Sequence, residues 1–219
     1  NRDRAGRARA TVRAGQPAGA RGPGTAAGAQ RPAARGGGSP AKPLMTLPPW
    51  HEESIGRHHD RERFDCGEPA LNDFLRHHAR KSHERGGAKT FLAVADAEVS
   101  SVLGFYSLSP ASVAYARTPE MIRRGLARHD VPVFRLGRLA VARAWQGHGL
   151  GGQLLLLAGR RCLLAASEVG GVALLIDAKS ASVARWYERY GAAPLADQPL
   201  SLLLPLATLQ AALVAAGKL

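Results

Sequence analysis

The first part of the chain body shows two kinds of apolar spacing. Apolar residues recur at helical intervals over residues 70–82 with basic residues between them, which predicts an amphipathic helix with a basic outer face. After two glycines, apolar runs at residues 90–95 and 102–109 predict two strands joined by a polar turn. We also expect one edge strand in the polar stretch 50–63, ending near Phe64.

The second part of the body alternates strands and helices. A dense apolar run at residues 133–141 predicts a central strand, and the leucine-rich residues 154–169 predict a long helix. The later elements are a strand at 172–177, a helix at 180–190 capped by Ser180, a strand at 200–204 and a helix at 207–216. We therefore expect the α/β class, with a mixed central sheet flanked by helices in a single domain over residues 45–219.

A glycine-rich stretch joins the predicted central strand to the long helix, and it reads Gln146-Gly147-His148-Gly149-Leu150-Gly151-Gly152. Because glycine has no Cβ, this backbone can approach a ligand closely, and its N–H groups add to the positive end of the following helix. The stretch therefore predicts a site for an anion such as the pyrophosphate of a nucleotide-bearing cofactor.

Three phosphate-loop patterns compete for this stretch. The nucleoside-triphosphate loop is excluded, because it ends in Gly-Lys-Ser/Thr and this stretch continues Gly-Gly-Gln. The dinucleotide pattern fits from Gly147 onward, with Asp177 as its ribose-binding acid. Five residues separate that glycine from the strand, however, and the 42 residues after Asp177 are too few for the rest of that fold. The acyl-CoA pattern Arg/Gln-x-x-Gly-x-Gly/Ala is met by Gln146, Gly149 and Gly151.

The basic charge of the chain is concentrated at its start. Of a net charge of +13, residues 1–44 contribute eight arginines and one lysine against one aspartate. This segment holds hardly any large apolar residue, so it cannot bury enough surface to offset its ordering entropy, and we expect it to be disordered. Two interpretations stay open: a tail that binds nucleic acid or an acidic surface, or upstream sequence preceding an initiator at Met45.

Cysteine and histidine usage predicts no metal site. Cys66 and Cys162 are far apart and belong to no metal-ligand pattern, so we expect two reduced structural thiols. The adjacent pairs His58-His59 and His77-His78 do not share a helix face, and we expect solvated surface there. No apolar run is long enough to span a membrane, and no secretory signal core is present. The expected location is the cytoplasm.

Four pieces of the chain stand in the order found in GNAT acetyltransferases. They are the strand Arg138-Leu139-Ala140-Val141, the loop 146–151, the strand ending Ile176-Asp177 and the helix 184–191. With residues 64–67, 71–75 and 104–109 added, the chain resembles the GNAT toxins of bacterial toxin–antitoxin pairs over residues 60–205. It departs from them at Ala192, where an aromatic residue is common, and in its basic tail.

This resemblance implies a function and partners. The toxins acetylate the α-amino group of aminoacyl-tRNA with acetyl-CoA and so block translation in the bacterial cytoplasm. The resemblance also implies a ribbon-helix-helix antitoxin and a homodimer. No metal is expected. Two rivals stay open: a GNAT enzyme that acetylates a small amine or a protein N-terminus, and a catalytically idle acyl-CoA-binding module.

The resemblance also implies a cofactor site. Backbone groups of Leu139, Ala140 and Val141 would meet the pantetheine arm and the thioester carbonyl. The pyrophosphate would lie on the loop formed by Gln146, Gly147, His148, Gly149, Leu150, Gly151 and Gly152, with His148 either on a phosphate or in solvent. Residues 133–141 carry no acid to act as a base, which favours an α-amine of pKa about 8 over a lysine amine.

Tyr187 is implied as the acid that protonates the departing thiolate. Val183, Trp186, Tyr187 and Tyr190 fall at i, i+3, i+4 and i+7, so Tyr187 also fits the core face of its helix.

Basic side chains supply the candidate substrate contacts. Arg138 is either such a contact or a strand residue paired with an acid. Residues around the first helix are predicted to form a tRNA groove, namely Arg76, Arg80, Lys81, Arg85 and Lys89, together with Arg123, Arg124 and Arg128. The last three lie in the stretch 117–130, where a short helix is predicted at 120–127. A solvated loop and an RNA-facing surface both stay open as interpretations of this stretch.

Overall fold

The structure is a computed structural model and describes residues 46–217. The predictions for residues 1–44 and for Met45 lie outside the described residues. Cys66 and Cys162 are both free thiols, as expected. Among the described helices, none combines the length and the apolar character that a membrane crossing requires.

A seven-stranded mixed sheet organises the described residues. Its strands are β1 (Trp50–Ser54), β2 (Lys89–Ala95), β3 (Glu98–Val113), β4 (Val131–Val141), β5 (Ala173–Asp177), β6 (Ala193–Leu195) and β7 (Gln198–Pro205). They lie in the order β1-β2-β3-β4-β5-β7-β6. Every neighbouring pair is antiparallel except β4 and β5, which are parallel. The predicted mixed sheet is confirmed, with β4 at its centre.

Helices cover both faces of this sheet. They are α1 (Pro69–Asp73), a π turn (Phe74–His78), α2 (Ala79–Glu84), α3 (Glu120–Arg123), α4 (Leu150–Val169), α5 (Ala181–Glu188) and α6 (Leu206–Ala215). The first three run consecutively, and residues 69–84 are called the first helical segment. Its apolar side chains pack on one face of β2–β4. The apolar side chains of α4 and α6 pack on the other face. Leu154 and Leu155 of α4 are fully buried, which stabilises this layer by about 2 kcal/mol each.

Several predicted boundaries are wrong. The edge strand lies at Trp50–Ser54 and not near Phe64, because residues 61–68 form a loop held by side-chain hydrogen bonds to the first helical segment. The helix α3 ends at Arg123, before Gly125, whose φ is +82°. The pattern also missed β6, a three-residue strand too short to show periodicity.

The parallel pair β4–β5 separates partway along its length. Residues Val133–Leu136 pair with Ala173–Ile176, and the rest of β4 pairs with β3 alone. The register of β4 on β3 shifts between Ser107 and Leu108, which leaves Gly137 as an extra residue at the point of separation. The backbone edge of residues 137–141 therefore faces an opening between two strands.

Candidate active site

A cleft of about 440 Å³ occupies the opening between β4 and β5. It is lined by residues 136–141 of β4, by Ile176, Asp177 and Lys179 at the end of β5, by Cys66, Glu68, Ala70 and Leu71 near the start of α1, and by Gln146, Val183 and Tyr187. Segments that lie far apart in the sequence thus meet in one place. Arg138, Leu139, Ala140, Val141, Gln146 and Tyr187 are all predicted site residues that line it.

The glycine-rich stretch forms a turn whose amides are free to bind. Gly147 and Gly149 have φ values of +82° and +83°, a conformation that L side chains rarely adopt. The N–H groups of Gly151 and Gly152, in the first turn of α4, have no acceptor among residues 46–217. The positive end of a 20-residue helix and these amides fit an anionic group such as a pyrophosphate.

Gln146 fixes this turn relative to the cleft. Its side-chain Nε2 donates hydrogen bonds to the carbonyl oxygens of Cys66 at 2.8 Å and Val141 at 2.9 Å. The glutamine therefore ties the turn to the end of β4 and to the loop before α1. His148 is exposed, and its Nδ1 lies 2.9 Å from the carbonyl oxygen of Gln146.

Tyr187 and Tyr190 lie in different surroundings, although sequence spacing does not separate them. Tyr187 is 6% exposed, belongs to the main core cluster and also lines the cleft, so it lies on the core face of its helix and is accessible from the cleft. Tyr190 instead packs against α4, where a Cβ on Gly152 would lie 2.5 Å from the tyrosine hydroxyl. Burial raises the pKa of Tyr187 to about 12, so the phenol keeps its proton throughout the physiological range.

Arg138 points onto an aromatic ring and not onto an acid. Its guanidinium carbon lies 3.6 Å from the ring centroid of Phe74 in the π turn, a cation–π contact. No carboxylate of the described residues lies within ion-pair distance, so the acid-paired interpretation does not hold for residues 46–217. Burial lowers the pKa of this guanidinium, which nevertheless remains charged. The cleft therefore presents an unneutralised cation beside β4.

The five basic residues predicted around the first helical segment divide into two groups. Arg76 and Arg80 are partly buried, and they donate to the carbonyl oxygen of Phe64 at 2.9 Å and to Glu84 at 2.6 Å. Lys81 and Arg85 are exposed, as is Lys89, whose Nζ donates to the carbonyl oxygen of His83 at 3.0 Å. None of the five predicted residues is among those that line the cleft.

A second depression of about 450 Å³ lies beside α3. Arg123, Arg124 and Arg128 line it together with Tyr115 and Glu120. It adjoins the ends of β3 and β4 that pair at Val113 and Val131, at the opposite end of β4 from the glycine turn.

The cleft contains two carboxylates, and they differ in their partners. Asp177 forms an ion pair with Arg135 at 3.1 Å and accepts a hydrogen bond from the Ser201 hydroxyl at 2.7 Å. It is thus held by the protein, and the sheet lacks the topology of the dinucleotide fold. Glu68 pairs with Lys179. Sequence reasoning named neither Glu68 nor Lys179, because both lie in turns where charged residues are ordinarily solvated.

A histidine cluster lies away from the cleft, at β1 and the loop after it. Glu53 accepts hydrogen bonds from His51, His58 and His59, with the last two at 3.1 Å, and these bonds lower the pKa of Glu53 to about 2. His59 is buried at 3% exposure, so the expectation of solvated surface is wrong for it. Its Nδ1 accepts from the Gly56 N–H, which leaves the ring proton on Nε2, facing Glu53. The ligand atoms of Glu53, His58 and His59 lie within 4.8 Å of one another, so this hydrogen-bonded group also has the spacing of a metal site, which the sequence analysis did not predict.

The splayed parallel strands, the glycine turn at a helix N-terminus and the tyrosine facing the cleft define an N-acetyltransferase fold of the GNAT type. The chain is 39% identical to a tRNA-acetylating toxin of Mycobacterium tuberculosis over 145 residues, which cover 66% of this chain and 85% of that protein. A probable TacT toxin of Sinorhizobium fredii is 28% identical over 160 residues, which cover 69% and 88%. The chain belongs to the family of tRNA-acetylating GNAT toxins, and the predicted resemblance is confirmed.

Solved structures agree with this assignment. The structure of AtaT complexed with acetyl-methionyl-tRNAfMet matches with a TM-score of 0.70 and 27% identity, covering 75% of this chain and 99% of AtaT. No family model matches the chain.

Proposed function

We propose that the protein transfers the acetyl group of acetyl-CoA to the α-amino group of an aminoacyl-tRNA and thereby removes that tRNA from translation. The observation that carries this proposal is the cleft itself, which brings Tyr187, the free edge of β4 and the glycine turn together in a chain of this family. The relative in M. tuberculosis is named for acetylating tRNA, and AtaTR has been solved with bound acetyl-CoA.

The residues present fit acetyl-CoA. The turn 146–152 offers amides to a pyrophosphate. The edge of residues 139–141 has no neighbouring strand on this side, and apart from the Val141 carbonyl, which Gln146 holds, it offers backbone groups to the amides of the pantetheine arm. When bound, acetyl-CoA supplies an activated thioester. Strand β4 then orients the thioester carbonyl, while Leu139, Val183 and Tyr187 exclude water from it.

Tyr187 is the proposed proton donor to the departing thiolate. Tyr187 lines the cleft, and burial is the cause of its raised pKa. The phenol therefore carries its proton at neutral pH, although the raised pKa makes it a weaker acid than a free phenol. The nucleophile is the neutral amine, which an α-amine of pKa about 8 supplies without a strong base. The proton that this amine loses on forming the amide passes to water, and the Tyr187 phenolate recovers one proton from water, so the step balances. Strand β4 carries no carboxylate, in agreement with that choice of acceptor.

We further propose how the substrate and partners are accommodated. The exposed Lys81, Arg85 and Lys89 contact tRNA phosphates, and Arg138 lies where the aminoacyl end enters the cleft. Solved complexes exist for AtaT with the C-terminus of the antitoxin AtaR, and for KacTA with DNA. A ribbon-helix-helix antitoxin, a homodimeric state and a location in the bacterial cytoplasm complete the proposal.

Transfer of label to charged tRNA tests this function. The protein is incubated with labelled acetyl-CoA and total tRNA, either aminoacylated or chemically deacylated. We expect label on the aminoacylated sample alone. Label on small amines or on protein N-termini but not on tRNA would replace the proposal with an enzyme of other specificity. Binding of acetyl-CoA without transfer to any acceptor would indicate an idle module.

A further inference from the structure

Glu68 is the less firmly held of the two carboxylates in the cleft. Asp177 is engaged by an arginine and a hydroxyl, whereas the Glu68 carboxylate has the ammonium of Lys179 as its one partner among the described residues. Glu68 stands at the N-cap of α1, yet its side chain makes no capping hydrogen bond. The Glu68 carboxylate therefore makes no contact that the helix or the sheet needs in order to form.

The Glu68–Lys179 pair crosses the mouth of the cleft. The two residues are 111 positions apart, with Glu68 on the helical wall and Lys179 in the connection between β5 and α5. Both line the cleft, and their side chains are 38% and 61% exposed. Ion pairs this exposed are weak and exchange readily. An entering ligand with its own cation can therefore displace Lys179.

The Lys179 ammonium is a primary ammonium, as is the protonated α-amino group of an aminoacyl ester. We propose that Glu68 binds the protonated acceptor amine as it enters, before the amine loses its proton and attacks, and that Lys179 occupies the same carboxylate when no acceptor is present. This inference rests on the proposed function and concerns binding alone, since no bond is made or broken at Glu68. The 3′ end of an uncharged tRNA brings no cation, so it leaves the Glu68–Lys179 pair intact. Glu68 thus distinguishes aminoacylated from deacylated tRNA.

The proposal predicts that substitutions of the two partners of this ion pair change the KM for charged tRNA in opposite directions. Glu68→Gln removes the carboxylate that receives the amine, so the KM for charged tRNA rises. Lys179→Met removes the competitor, so the same KM falls. In the double variant the loss of Lys179 frees no carboxylate, because Glu68 is also absent, so the KM matches that of Glu68→Gln. A pair that merely stabilised the fold would shift both single variants in the same direction.

The test measures kcat and KM for charged tRNA in the full chain and in these three variants. We expect Glu68→Gln to raise KM about fivefold and Lys179→Met to lower it about threefold, with kcat changed much less. Acetyl-CoA affinity and melting temperature are measured alongside and stay unchanged. Asp73→Asn is the matched control, because Asp73 lies on the same helix, binds His77 and His78 and does not line the cleft. It removes the same charge without raising KM.

Two results would overturn the inference, and a third would overturn its basis. A higher KM in both single variants would show a structural pair, and an unchanged KM in both would show that Glu68 does not meet the acceptor. If the wild-type chain acetylates no charged tRNA at any concentration, the proposed function itself fails, and the inference fails with it.

Discussion

The two walls of the cleft are built from different parts of the chain. The wall proposed for the cofactor consists of backbone: the free edge of β4 and the amides of the glycine turn. The wall proposed for the acceptor consists of side chains: Arg138 over Phe74, and Glu68 paired with Lys179. A backbone site depends on strand register and glycine φ, whereas a side-chain site depends on which residues tertiary packing brings together. Variants should therefore affect the two walls in different ways.

The largest effect is expected where the two walls meet, at Tyr187. Tyr187→Phe keeps the buried ring and removes the proton donor, so kcat should fall about 100-fold while acetyl-CoA affinity is unchanged. Tyr190→Phe is the matched control, because that ring packs against Gly152 and not in the cleft. Steady-state acetylation kinetics and calorimetric binding measure both quantities. Equal losses in the two variants would remove Tyr187 from the chemistry.

A backbone change should act on the cofactor wall alone. Gly149→Ala places a Cβ at a φ of +83°, which costs about 1–2 kcal/mol, and we expect acetyl-CoA affinity to fall about tenfold as the turn distorts. Gly125→Ala is matched in its strain, with a φ of +82° and open space around the added carbon. It should lower stability to a similar extent and leave affinity unchanged. Equal affinities in the two variants would contradict a phosphate-binding turn.

Side-chain changes should divide the basic residues around the first helical segment, which lie outside the cleft. Arg76→Met leaves the Phe64 carbonyl without its partner and should lower the free energy of unfolding by about 1–2 kcal/mol. Lys81→Gln removes an exposed charge and should leave stability unchanged, while the slope of log(kcat/KM) against log salt decreases by about 1. Denaturant unfolding and a salt series measure these effects. An unchanged slope for Lys81→Gln would remove that residue from the RNA contact.

The smallest expected effect concerns pH: kcat/KM should not decline at high pH. The acceptor amine loses its proton near pH 8, so kcat/KM should rise through that range. Burial raises the pKa of Tyr187 to about 12, so its proton remains available and the rate should stay level to about pH 10. A pH–rate profile with the charged substrate checks this. A descending limb near pH 9 would indicate an acid of lower pKa than this tyrosine.

The backbone wall was the more predictable of the two. The strand at 131–141 and the turn at 146–152 appear in the sequence as an apolar run and a glycine pattern, because each local feature fixes its own conformation. The separation of β4 from β5 has no local signal, since it arises from a four-residue parallel pairing between distant segments. The family resemblance implied backbone contacts from residues 139–141 to the pantetheine arm, but the separation itself was not predicted.

The side-chain contacts in and around the acceptor wall could not be predicted from the sequence. The helix carrying Arg76 and Arg80 was predicted, but spacing could not show that these arginines are held by the Phe64 carbonyl and Glu84 while Lys81 remains exposed. Glu68 and Lys179 meet across 111 residues, a distance at which neither position carries a local signal. Tertiary packing therefore decides which of these basic side chains are held by the protein and which stay exposed.

The geometry of bound coenzyme A tests the central claim most directly. A crystal structure of the protein with coenzyme A would measure the distance from the cofactor sulfur to the Tyr187 hydroxyl oxygen. We expect hydrogen-bond distance, about 3.5 Å for sulfur, with the pyrophosphate on the amides of residues 147–152. A sulfur placed far from Tyr187, or a pyrophosphate bound away from the glycine turn, would contradict this account of the cleft.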